Sequence, residues 1–505
     1  MCRGRPTTMH GWPGCPDPPG PRDQTRIATI LQRTWRIVVL RARSGRLLIA
    51  ALSAVALARL ALGWAIPGFL TGDDVEILEA GFARATGLEF VPWGIRNTLI
   101  SDLLVAPPVA AARFLGVADI WTLCWIATLP FVALSLVSIV LLLRIAEKWT
   151  GEPKVALLAA TIYALHWLPF GYAGTVYPRT ASTTLVLAAV ALLLFRKSVL
   201  RRIGAGLLLA LAFAFRYSEA IYLLPAVAFV MATSDGPSPA ASRVRRAAEL
   251  AGGFFVGVLA FCGLYDWAMR GEAFASLIEF ARYTLVERQA SARVAEQPVY
   301  WYLWRSPKWL DPVALGLLCV AARRRAHWVL LGFVLLPLAV LSLIHHKELR
   351  YLQGIVPFAC LLVALGAVEV ARRHGKRLVA ALLVLSIGWS LAQLRFLRRK
   401  STAAVQAAQA VAALPAVRRF AAPQLWAFGD RLFFGNDVAL SPISLPPVPE
   451  LLKAEIAGAD RVALWVDTVA PGDAMMAALV ADGWCEESRF TAGRSRPVAL
   501  FRPCR

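Results

Sequence analysis

His345-His346-Lys347-Glu348-Leu349-Arg350-Tyr351 is a run of ionisable residues between two apolar stretches, each long enough to cross a bilayer. Charged groups in such a position are unfavourable unless they are paired or functional, so this basic segment (345–351) needs a physical explanation. A second charged cluster, Asp73-Asp74, follows the first apolar stretch of the chain. We expect the fold to bring these two clusters together on the non-cytoplasmic side of a membrane.

The composition is that of a membrane protein. The chain has 505 residues, of which 58% are hydrophobic, and its mean hydropathy is +0.59. Soluble proteins have roughly 45–50% apolar residues by a broader count. The apolar residues form blocks of roughly 15–25, the length at which a helix spans the hydrocarbon core. The net charge of +22 comes from short Lys and Arg clusters between these blocks, as the positive-inside rule requires, which argues against a nucleic-acid partner.

The order of apolar blocks and basic clusters predicts about eleven membrane-spanning helices. Residues 1–46 are predicted to be a disordered basic tail in the cytoplasm. Residues 47–396 form the membrane domain, with large outer loops at 71–117 and 269–309. The apolar stretch 203–232 is interrupted at Arg216–Glu219 and has basic residues at both ends, which predicts two short spans with an outward turn between them.

The last part of the chain, residues 397–505, has a different pattern. Short apolar runs such as Val462–Val466 and Val498–Phe501 alternate with stretches of helical character. This alternation predicts a small α/β soluble domain. Its position after the last span predicts an extracytoplasmic location, and Cys485 and Cys504 could pair if that compartment is oxidising. The whole chain is therefore predicted to be mainly α, a polytopic membrane protein with a small C-terminal α/β domain.

Each charged cluster has a structural and a functional interpretation. The basic segment could be a capped helix end with snorkelling side chains, or a site for a phosphate group, because Arg binds phosphate bidentately and Lys binds it as a point charge. Asp73-Asp74 could be an N-cap and turn, or it could hold a general base that removes a proton from an acceptor hydroxyl. Arg59, inside the first span, could face the helix bundle or snorkel, or it could belong to an internal ion pair.

Several short motifs occur in a definite order along residues 47–395. They are Arg59 in the first span, Gly72-Asp73-Asp74, Ile95-Arg96-Asn97, Arg179-Thr180-Ala181-Ser182, Tyr265-Asp266-Trp267, the run Tyr300–Tyr302, and residues 346–351. Together they resemble the GT-C integral-membrane glycosyltransferases, specifically glycosyltransferase family 22, the lipid-phosphate-mannose-dependent α-mannosyltransferases of GPI-anchor and N-glycan assembly. Residues 346–351 resemble the family's HKEERF-type motif. This chain departs from the family pattern at Gly72, Asp74 and Leu349, where the family has Pro, Glu and a second Glu.

The resemblance implies a membrane enzyme that transfers mannose from polyprenyl-phosphate-mannose to a lipid-linked or extracytoplasmic glycan acceptor, with inversion at the anomeric carbon. Asp73 is then the expected general base, with Asp74 as a second acid or orienter. The expected ligands of the donor phosphate are His346, Lys347 and Arg350, with Arg179 and Arg96 as helpers. Four further residues are expected to support the site: Glu348, Arg59, Arg216 and Asp266.

No metal is expected, and no cofactor beyond the lipid-linked sugar, which is a co-substrate. The expected partners are the bilayer, the polyprenyl-phosphate-sugar donor and the acceptor. The Ala- and Arg-rich, Lys-poor composition suggests a bacterium, and hence an inner (plasma) membrane with the active site on the extracytoplasmic side.

Two alternatives are a related enzyme that uses another polyprenyl-phosphate sugar (glucose or arabinofuranose) or a protein acceptor, and a lipid or glycan transporter. Transporters tend to place ionisable groups near the membrane midplane. Here they gather, apart from Arg59, at the outer ends of spans, which favours an enzyme.

Overall fold

The computed structural model describes residues 50–65, 71–195, 198–232, 240–287, 296–395, 402–445, 447–469, 474–492 and 495–504. The chain divides into two compact units, Met1–Val55 and Ala56–Arg505. The first unit is described only over residues 50–55, so the predicted tail 1–46 lies outside the described residues.

The described part of the chain is dominated by α-helices that follow the predicted apolar blocks. The longer ones are Ala50–Ala65, Gly72–Thr86, Ala106–Phe114, Ile120–Thr150, Pro153–Leu165, Pro178–Phe195, Val199–Phe215, Leu223–Ala232, Ala240–Val258, Pro312–Ala322, Trp328–Leu343, Val356–His374, Lys376–Gln393 and Thr402–Ala412. The shorter ones are Trp167–Tyr172, Tyr265–Arg270, Ala275–Ala281, Trp301–Trp304, Ser306–Trp309, Arg431–Phe434, Pro449–Glu455 and Ala474–Ala481.

Tighter and wider helical turns join several of these elements. The 3₁₀ turns are Tyr217–Tyr222, Arg325–His327, Leu349–Leu352, Leu425–Phe428 and Val466–Thr468, and the π-helical turns are Ser101–Val105, Leu259–Leu264 and Arg282–Val286. Arg216 has extended backbone dihedrals (φ −155°, ψ 109°) and ends the helix Val199–Phe215. The predicted break in the stretch 203–232 is therefore confirmed.

Among the described residues, five helices are long and apolar enough to cross a membrane. They are Ile120–Thr150, Pro178–Phe195, Ala240–Arg270, Arg325–Leu343 and Lys376–Gln393. Four shorter apolar helical segments accompany them: Ala50–Ala65, Pro153–Leu165, Tyr217–Ala232 and Pro312–Ala322. Length and composition thus support a polytopic membrane protein, and the total of about eleven spans stays a prediction.

Glycines allow two of the helices to approach very closely. Gly206, on Val199–Phe215, and Gly253, on Ala240–Val258, lie where these helices cross. A Cβ atom at Gly206 would collide with the carbonyl oxygen of Leu250, and one at Gly253 would collide with the carbonyl oxygen of Ile203. Small residues at such crossings increase van der Waals contact between membrane helices, which have no hydrophobic driving force between them in lipid. This contact positions the end of Val199–Phe215, where Arg216 begins the break.

The C-terminal residues form a five-stranded mixed sheet, as the alternating pattern predicts. Its strands are β1 (Arg419–Pro423), β2 (Ala439–Ile443), β3 (Arg461–Trp465), β4 (Trp484–Phe490) and β5 (Val498–Pro503), in the order β2-β1-β3-β5-β4. β1 pairs in parallel with β2 and β3, whereas β5 pairs antiparallel with β3 and β4.

Alternate residues of each central strand face opposite sides of this sheet. On β3, Ala463 and Trp465 pack toward the helix Thr402–Ala412. Val462 and Leu464 pack toward the helices Pro449–Glu455 and Ala474–Ala481 on the other face. This alternation is the two-residue period of a strand buried on both sides. Cys485 and Cys504 form a disulfide with a Cα–Cα distance of 5.2 Å, which confirms the predicted pairing.

Candidate active site

A cavity of about 280 Å³ brings together residues from both outer loops, the Arg216 break and the basic segment. Its charged lining groups are Asp73, Glu76, Arg96, Arg179, Arg216 and Arg350, and the lining also includes His346 and Tyr351. Apolar side chains such as Ile77, Ile100, Phe215, Leu341 and Ile344 form much of the remaining wall. Four guanidinium groups against two carboxylates make the polar end suited to an anion, and the apolar wall is suited to a hydrocarbon chain.

The helix Gly72–Thr86 carries the acidic side of the cavity. Thr71 caps this helix by accepting a hydrogen bond from Asp74 N on its side chain. Asp73 lies in the first turn, and Glu76 follows one turn later on the same face. Asp74 points elsewhere: it is fully buried, Thr71 Oγ1 donates to its Oδ2 over 2.6 Å, and it is not among the residues that line the cavity.

Asp73 is surrounded by three guanidinium groups. Arg96 Nη2 donates to Asp73 Oδ1, Arg216 Nη1 lies 3.3 Å from Asp73 Oδ2, and Arg350 Nη2 lies 3.5 Å from the same oxygen. Burial acts to raise the pKa of Asp73, but the charges of these arginines outweigh it and hold the pKa well below its usual value. The predicted meeting of Asp73 with the basic segment is therefore observed.

The residues of the basic segment point in different directions. His346 and Arg350 line the cavity, and both contact Glu348, whose Oε1 accepts from His346 Nε2 over 3.2 Å. Burial acts to raise the pKa of Glu348, but Arg350 and the hydrogen bond from His346 lower it to about 2. Glu348 thus contacts the side chains of both His346 and Arg350, and it stays ionised.

Lys347 does not reach the cavity, although it was expected to bind the donor phosphate. Its Nζ donates to the carbonyl oxygens of Ile344 over 2.5 Å and Gln297 over 2.9 Å. The side chain is buried. In this arrangement the ammonium group ties the basic segment to the second outer loop.

Tyr351 is the centre of a cluster of cations. The guanidinium carbons of Arg179, Arg216 and Arg350 lie 5.0, 5.3 and 5.8 Å from the centroid of its ring. An arginine over an aromatic face is attracted by the ring quadrupole. The ring thus holds three like charges close together at the polar end of the cavity.

Arg179 also belongs to a buried ion pair that anchors this cluster. Its Nη1 lies 2.7 Å from Glu219 Oε1, and the two side chains are 3% and 0% exposed. Its Nη2 donates to Ser218 Oγ over 2.8 Å. Both terminal nitrogens are therefore occupied by protein groups, so Arg179 lines the cavity but is held in place by the Arg216–Glu219 turn.

Two expected supporting residues lie away from the cavity. Arg59 faces the helix bundle, where its guanidinium donates to Ser135 Oγ over 2.7 Å and to the carbonyl oxygen of Ala164 over 3.3 Å. Asp266 Oδ2 accepts hydrogen bonds from the backbone N and the Oγ of Ser276, over 2.8 and 2.5 Å. Both are structural contacts, the first within the bundle and the second between the helix Tyr265–Arg270 and Ser276 of the outer loop.

Sequence reasoning assigned no role to Glu76 and only a supporting role to Arg216. Glu76 Oε2 accepts from Arg96 Nε over 3.1 Å, and burial raises its pKa, which Arg96 only partly offsets. The signal for Glu76 was its spacing, three residues after Asp73 on a helix. The signal for Arg216 was a charged break inside an apolar stretch.

Comparisons with known proteins identify the family of this chain. The sequence profile of the Alg9-like mannosyltransferase family matches residues 87–420. This chain belongs to that family. The matched range contains Arg96, Arg179, Arg216 and the basic segment, whereas Asp73 precedes it. A comparison with curated protein sequences found none that is significantly similar to this enzyme.

Solved structures with the same fold are GT-C membrane enzymes. ArnT from Cupriavidus metallidurans bound to undecaprenyl phosphate aligns with a TM-score of 0.59 at 13% identity, over 90% of this chain and 97% of that one. AglB from Archaeoglobus fulgidus in complex with an inhibitory peptide and a dolichol-phosphate aligns with a TM-score of 0.53 at 11% identity, over 85% of this chain and 72% of that one. The arabinofuranosyltransferase AftD from Mycobacteria aligns with a TM-score of 0.52 at 13% identity, over 90% of this chain and 40% of that one. The enzyme is therefore a membrane glycosyltransferase with the GT-C fold.

The C-terminal domain contacts the helix that carries Asp73. Glu79 Oε1 accepts a hydrogen bond from Arg431 N over 2.7 Å, and Asn436 Oδ1 accepts one from Glu89 N over 2.8 Å. A Cβ atom at Gly72 would lie 3.5 Å from Cγ of Trp426. Burial and the neighbouring Asp430 carboxylate raise the pKa of Glu79 to about 9. The contact is therefore built around a carboxyl group that favours its neutral form.

This contact is expected to weaken as the pH rises toward 9. The unfolded pKa of a glutamate is about 4.3, so folding raises the pKa of Glu79. Its contribution to stability is then fully present at low pH and is lost progressively between about pH 5 and pH 9. Glu79→Gln should remove much of this loss, because the neutral amide can still accept from Arg431 N.

Thermal unfolding of the detergent-purified enzyme across this pH range tests the prediction. Glu89→Gln, an exposed carboxylate in the same loop, should keep the wild-type pH dependence, and an unchanged dependence in Glu79→Gln would contradict the assignment.

Proposed function

We propose that the enzyme transfers a mannosyl residue from polyprenyl-phosphate-mannose to a lipid-linked or extracytoplasmic glycan acceptor, with inversion at the anomeric carbon. The observation that carries the proposal is the cavity with Asp73 among arginines at one end and apolar side chains around the rest. Membership of a mannosyltransferase family supports mannose as the sugar that is transferred. The donor has matching parts, because it joins a sugar phosphate to a hydrocarbon chain.

In the proposed reaction, Asp73 accepts the proton of the acceptor hydroxyl as that oxygen attacks the anomeric carbon. The bond between this carbon and the phosphate oxygen breaks, and the electron pair leaves with the polyprenyl phosphate. Arg216, Arg350 and His346 are proposed to bind that phosphate. They line the cavity, and guanidinium groups stabilise the charge that develops on a leaving phosphate.

Arg216 and Arg350 lie beside Asp73 Oδ2, which keeps the carboxylate ionised but weakly basic. A bound donor phosphate would compete for both guanidinium groups. Their withdrawal from Asp73 would raise its proton affinity when the donor is in place. Lys347 is proposed to position the basic segment rather than contact the phosphate, because its ammonium group already donates to Gln297 and Ile344.

The direct test is transfer of labelled mannose from polyprenyl-phosphate-mannose by membranes that contain the protein. The same membranes should be assayed with the glucose and arabinofuranose donors, and with glycan and peptide acceptors. We expect transfer from the mannose donor, and its loss in Asp73→Asn membranes with equal protein content. Transfer only from another sugar donor, or only to a peptide, would favour the corresponding alternative enzyme.

Residues 397–505 and the active site are proposed to face the extracytoplasmic side of the inner membrane. The disulfide Cys485–Cys504 supports this because such bonds persist in oxidising compartments. The contact of Arg431 with Glu79 links that domain to the helix of Asp73, so both lie on the same side.

Labelling with a membrane-impermeant maleimide tests this orientation. We suggest single cysteines at the exposed positions Glu89 and Glu147, in a background in which Cys2, Cys15 and Cys319 are replaced by Ser. Glu89→Cys should react in intact cells, and Glu147→Cys only after lysis. The reverse pattern would overturn the proposed orientation.

The reaction is expected to be independent of divalent metal ions. Three guanidinium groups already contact Asp73, so added positive charge there is electrostatically unfavourable, and the arginines can neutralise the leaving phosphate. In the described part of the chain, no three His, Cys, Asp or Glu side chains cluster as a metal site requires. Activity should therefore persist after dialysis against EDTA, as measured by the mannose-transfer assay. A loss that added Mg²⁺ or Mn²⁺ restores would contradict this expectation.

A further inference from the structure

A second carboxylate, Glu76, lies in the same cavity as Asp73 and takes no part in the reaction proposed above. The two residues are three positions apart on the helix Gly72–Thr86, so their side chains project from the same face. Glu76 Oε2 accepts from Arg96 Nε over 3.1 Å, and Oε1 accepts from Trp93 N over 3.0 Å. The Glu76 side chain is only 16% exposed.

Arg96 bridges the two carboxylates. Its Nε is bound to Glu76 and its Nη2 to Asp73. Two further contacts, neither of which depends on the sugar donor, also hold Arg96 in place. Its guanidinium lies 5.8 Å from the Trp93 ring, and Arg96 N donates a hydrogen bond to Trp93 O over 2.9 Å. Arg270 Nη1 donates to Gly94 O over 2.7 Å and fixes the same loop. Glu76 and the loop around Trp93 therefore hold Arg96 beside Asp73.

These contacts keep Arg96 beside the base during the reaction. If the donor phosphate draws Arg216 and Arg350 toward itself, Arg96 remains on Asp73. An opposite charge within about 4–6 Å lowers the pKa of a carboxyl group by roughly one to three units. An Asp73 with the undivided charge of Arg96 beside it would be a weak base. Glu76 binds the same guanidinium from the other side and reduces this effect.

We infer that Glu76 is a positioning residue that keeps Asp73 basic in the donor-bound enzyme by sharing the charge of Arg96. The inference rests on the proposed function, because it concerns proton transfer to Asp73. The other charged groups of the cavity are Arg179, Arg216 and Arg350, and Glu79 lies one turn further along the same helix. His346 also faces the cavity, so the pH profile of His346→Gln identifies any part of the wild-type profile that belongs to the imidazole.

The test is the pH dependence of kcat at saturating donor, which reports ionisations of the enzyme–substrate complex. Glu76→Gln removes the carboxylate that competes for Arg96. The Arg96 charge then acts on Asp73 alone and lowers the pKa of that base. Activity is lost when the base is protonated, so the acid limb should move to lower pH by about one unit. The plateau value of kcat should fall by up to about tenfold, because a base that is one pKa unit weaker removes the proton less readily. Glu89→Gln removes an exposed carboxylate from the same loop and should leave both values unchanged.

Arg96→Gln provides a second variant with the opposite expected sign. It removes the shared cation, so the acid limb should move to higher pH. In the double variant Arg96→Gln/Glu76→Gln, the second substitution should add a smaller downward shift than it gives alone, because only the direct repulsion between Glu76 and Asp73 remains to be removed. If Glu76→Gln fails to fold, the single Arg96→Gln variant still decides the question: a limb at the wild-type pH overturns the inference.

Failure of this inference and failure of the proposed function give different results. A wild-type enzyme that transfers mannose and loses activity on Asp73→Asn, with an unshifted limb in Glu76→Gln, overturns only the role of Glu76. A wild-type enzyme that does not transfer mannose, or that keeps full activity on Asp73→Asn, overturns the proposed function itself. A lower kcat in Glu76→Gln without a shift of the limb would indicate a structural role only, and would also overturn the inference.

Discussion

Asp73→Asn is expected to lower kcat for mannose transfer by at least about 100-fold, the lower end of the range for loss of a general base. The amide cannot accept the acceptor proton, although it keeps the size of the carboxyl group. Asp73 lines the cavity and is bound by groups from three other parts of the chain. The measurement is the rate of transfer at saturating donor, with purified protein whose folding is checked by gel filtration and thermal unfolding.

Asp74→Asn is the matched control for this prediction. Asp74 is the next residue on the same helix, but it is buried outside the cavity and its Oδ2 accepts from Thr71 Oγ1. An asparagine can still accept that hydrogen bond through its amide oxygen. We therefore expect the folded Asp74→Asn enzyme to keep most of its turnover, with its main effect on stability. Equal losses of kcat in the two variants would contradict this division of roles, and full activity in both would rule out either as the base.

Glu219→Gln is expected to destabilise the enzyme by about 3–5 kcal/mol, the range for removing one partner of a buried ion pair. The substitution leaves the Arg179 guanidinium, which is 3% exposed, without a counter-ion. The effect should extend to the cavity, because Arg179 lies 5.0 Å from the Tyr351 ring. A large fall in the thermal unfolding temperature of the detergent-purified enzyme, together with weaker donor binding, is the expected result.

Glu147→Gln provides the comparison for an exposed pair. Arg144 and Glu147 form an i,i+3 ion pair at 3.5 Å, with side chains that are 64% and 46% exposed. Such surface pairs contribute only about 0–1 kcal/mol, so this variant should unfold close to the wild-type temperature. Replacing both buried partners, as in Arg179→Met/Glu219→Leu, should recover much of the lost stability because no buried charge remains. Similar unfolding temperatures for Glu219→Gln and Glu147→Gln would show that burial does not have the effect we describe.

Much of the fold follows from local sequence patterns. The apolar blocks predict membrane helices, the charged break at Arg216 predicts a turn, and the alternating runs after residue 400 predict the C-terminal sheet. These patterns are informative because they depend on the transfer of a single segment from water to lipid or to a protein core, which composition largely determines. The order of the motifs was also sufficient to indicate the family.

The residues of the site were predicted less completely. The basic segment and Asp73 were expected to meet, and Arg350 Nη2 does lie 3.5 Å from Asp73 Oδ2. Within each cluster, however, neighbouring residues take different directions. Asp74 is rotated from Asp73 by about 100° around the helix axis, and Lys347 donates to Gln297, fifty positions away in the chain.

The sequence by itself therefore determined that this is a helical membrane protein with a C-terminal α/β domain, and which two clusters of charge would meet. Only the tertiary structure decided which members of those clusters line the cavity. It added Glu76 to them, and it placed Arg216 in direct contact with Asp73. The physical reason is the separation along the chain of the residues that decide each property. Whether a segment enters a membrane depends on its own side chains, whereas the direction and pairing of one charged group depend on distant groups that packing brings within a few ångströms of it.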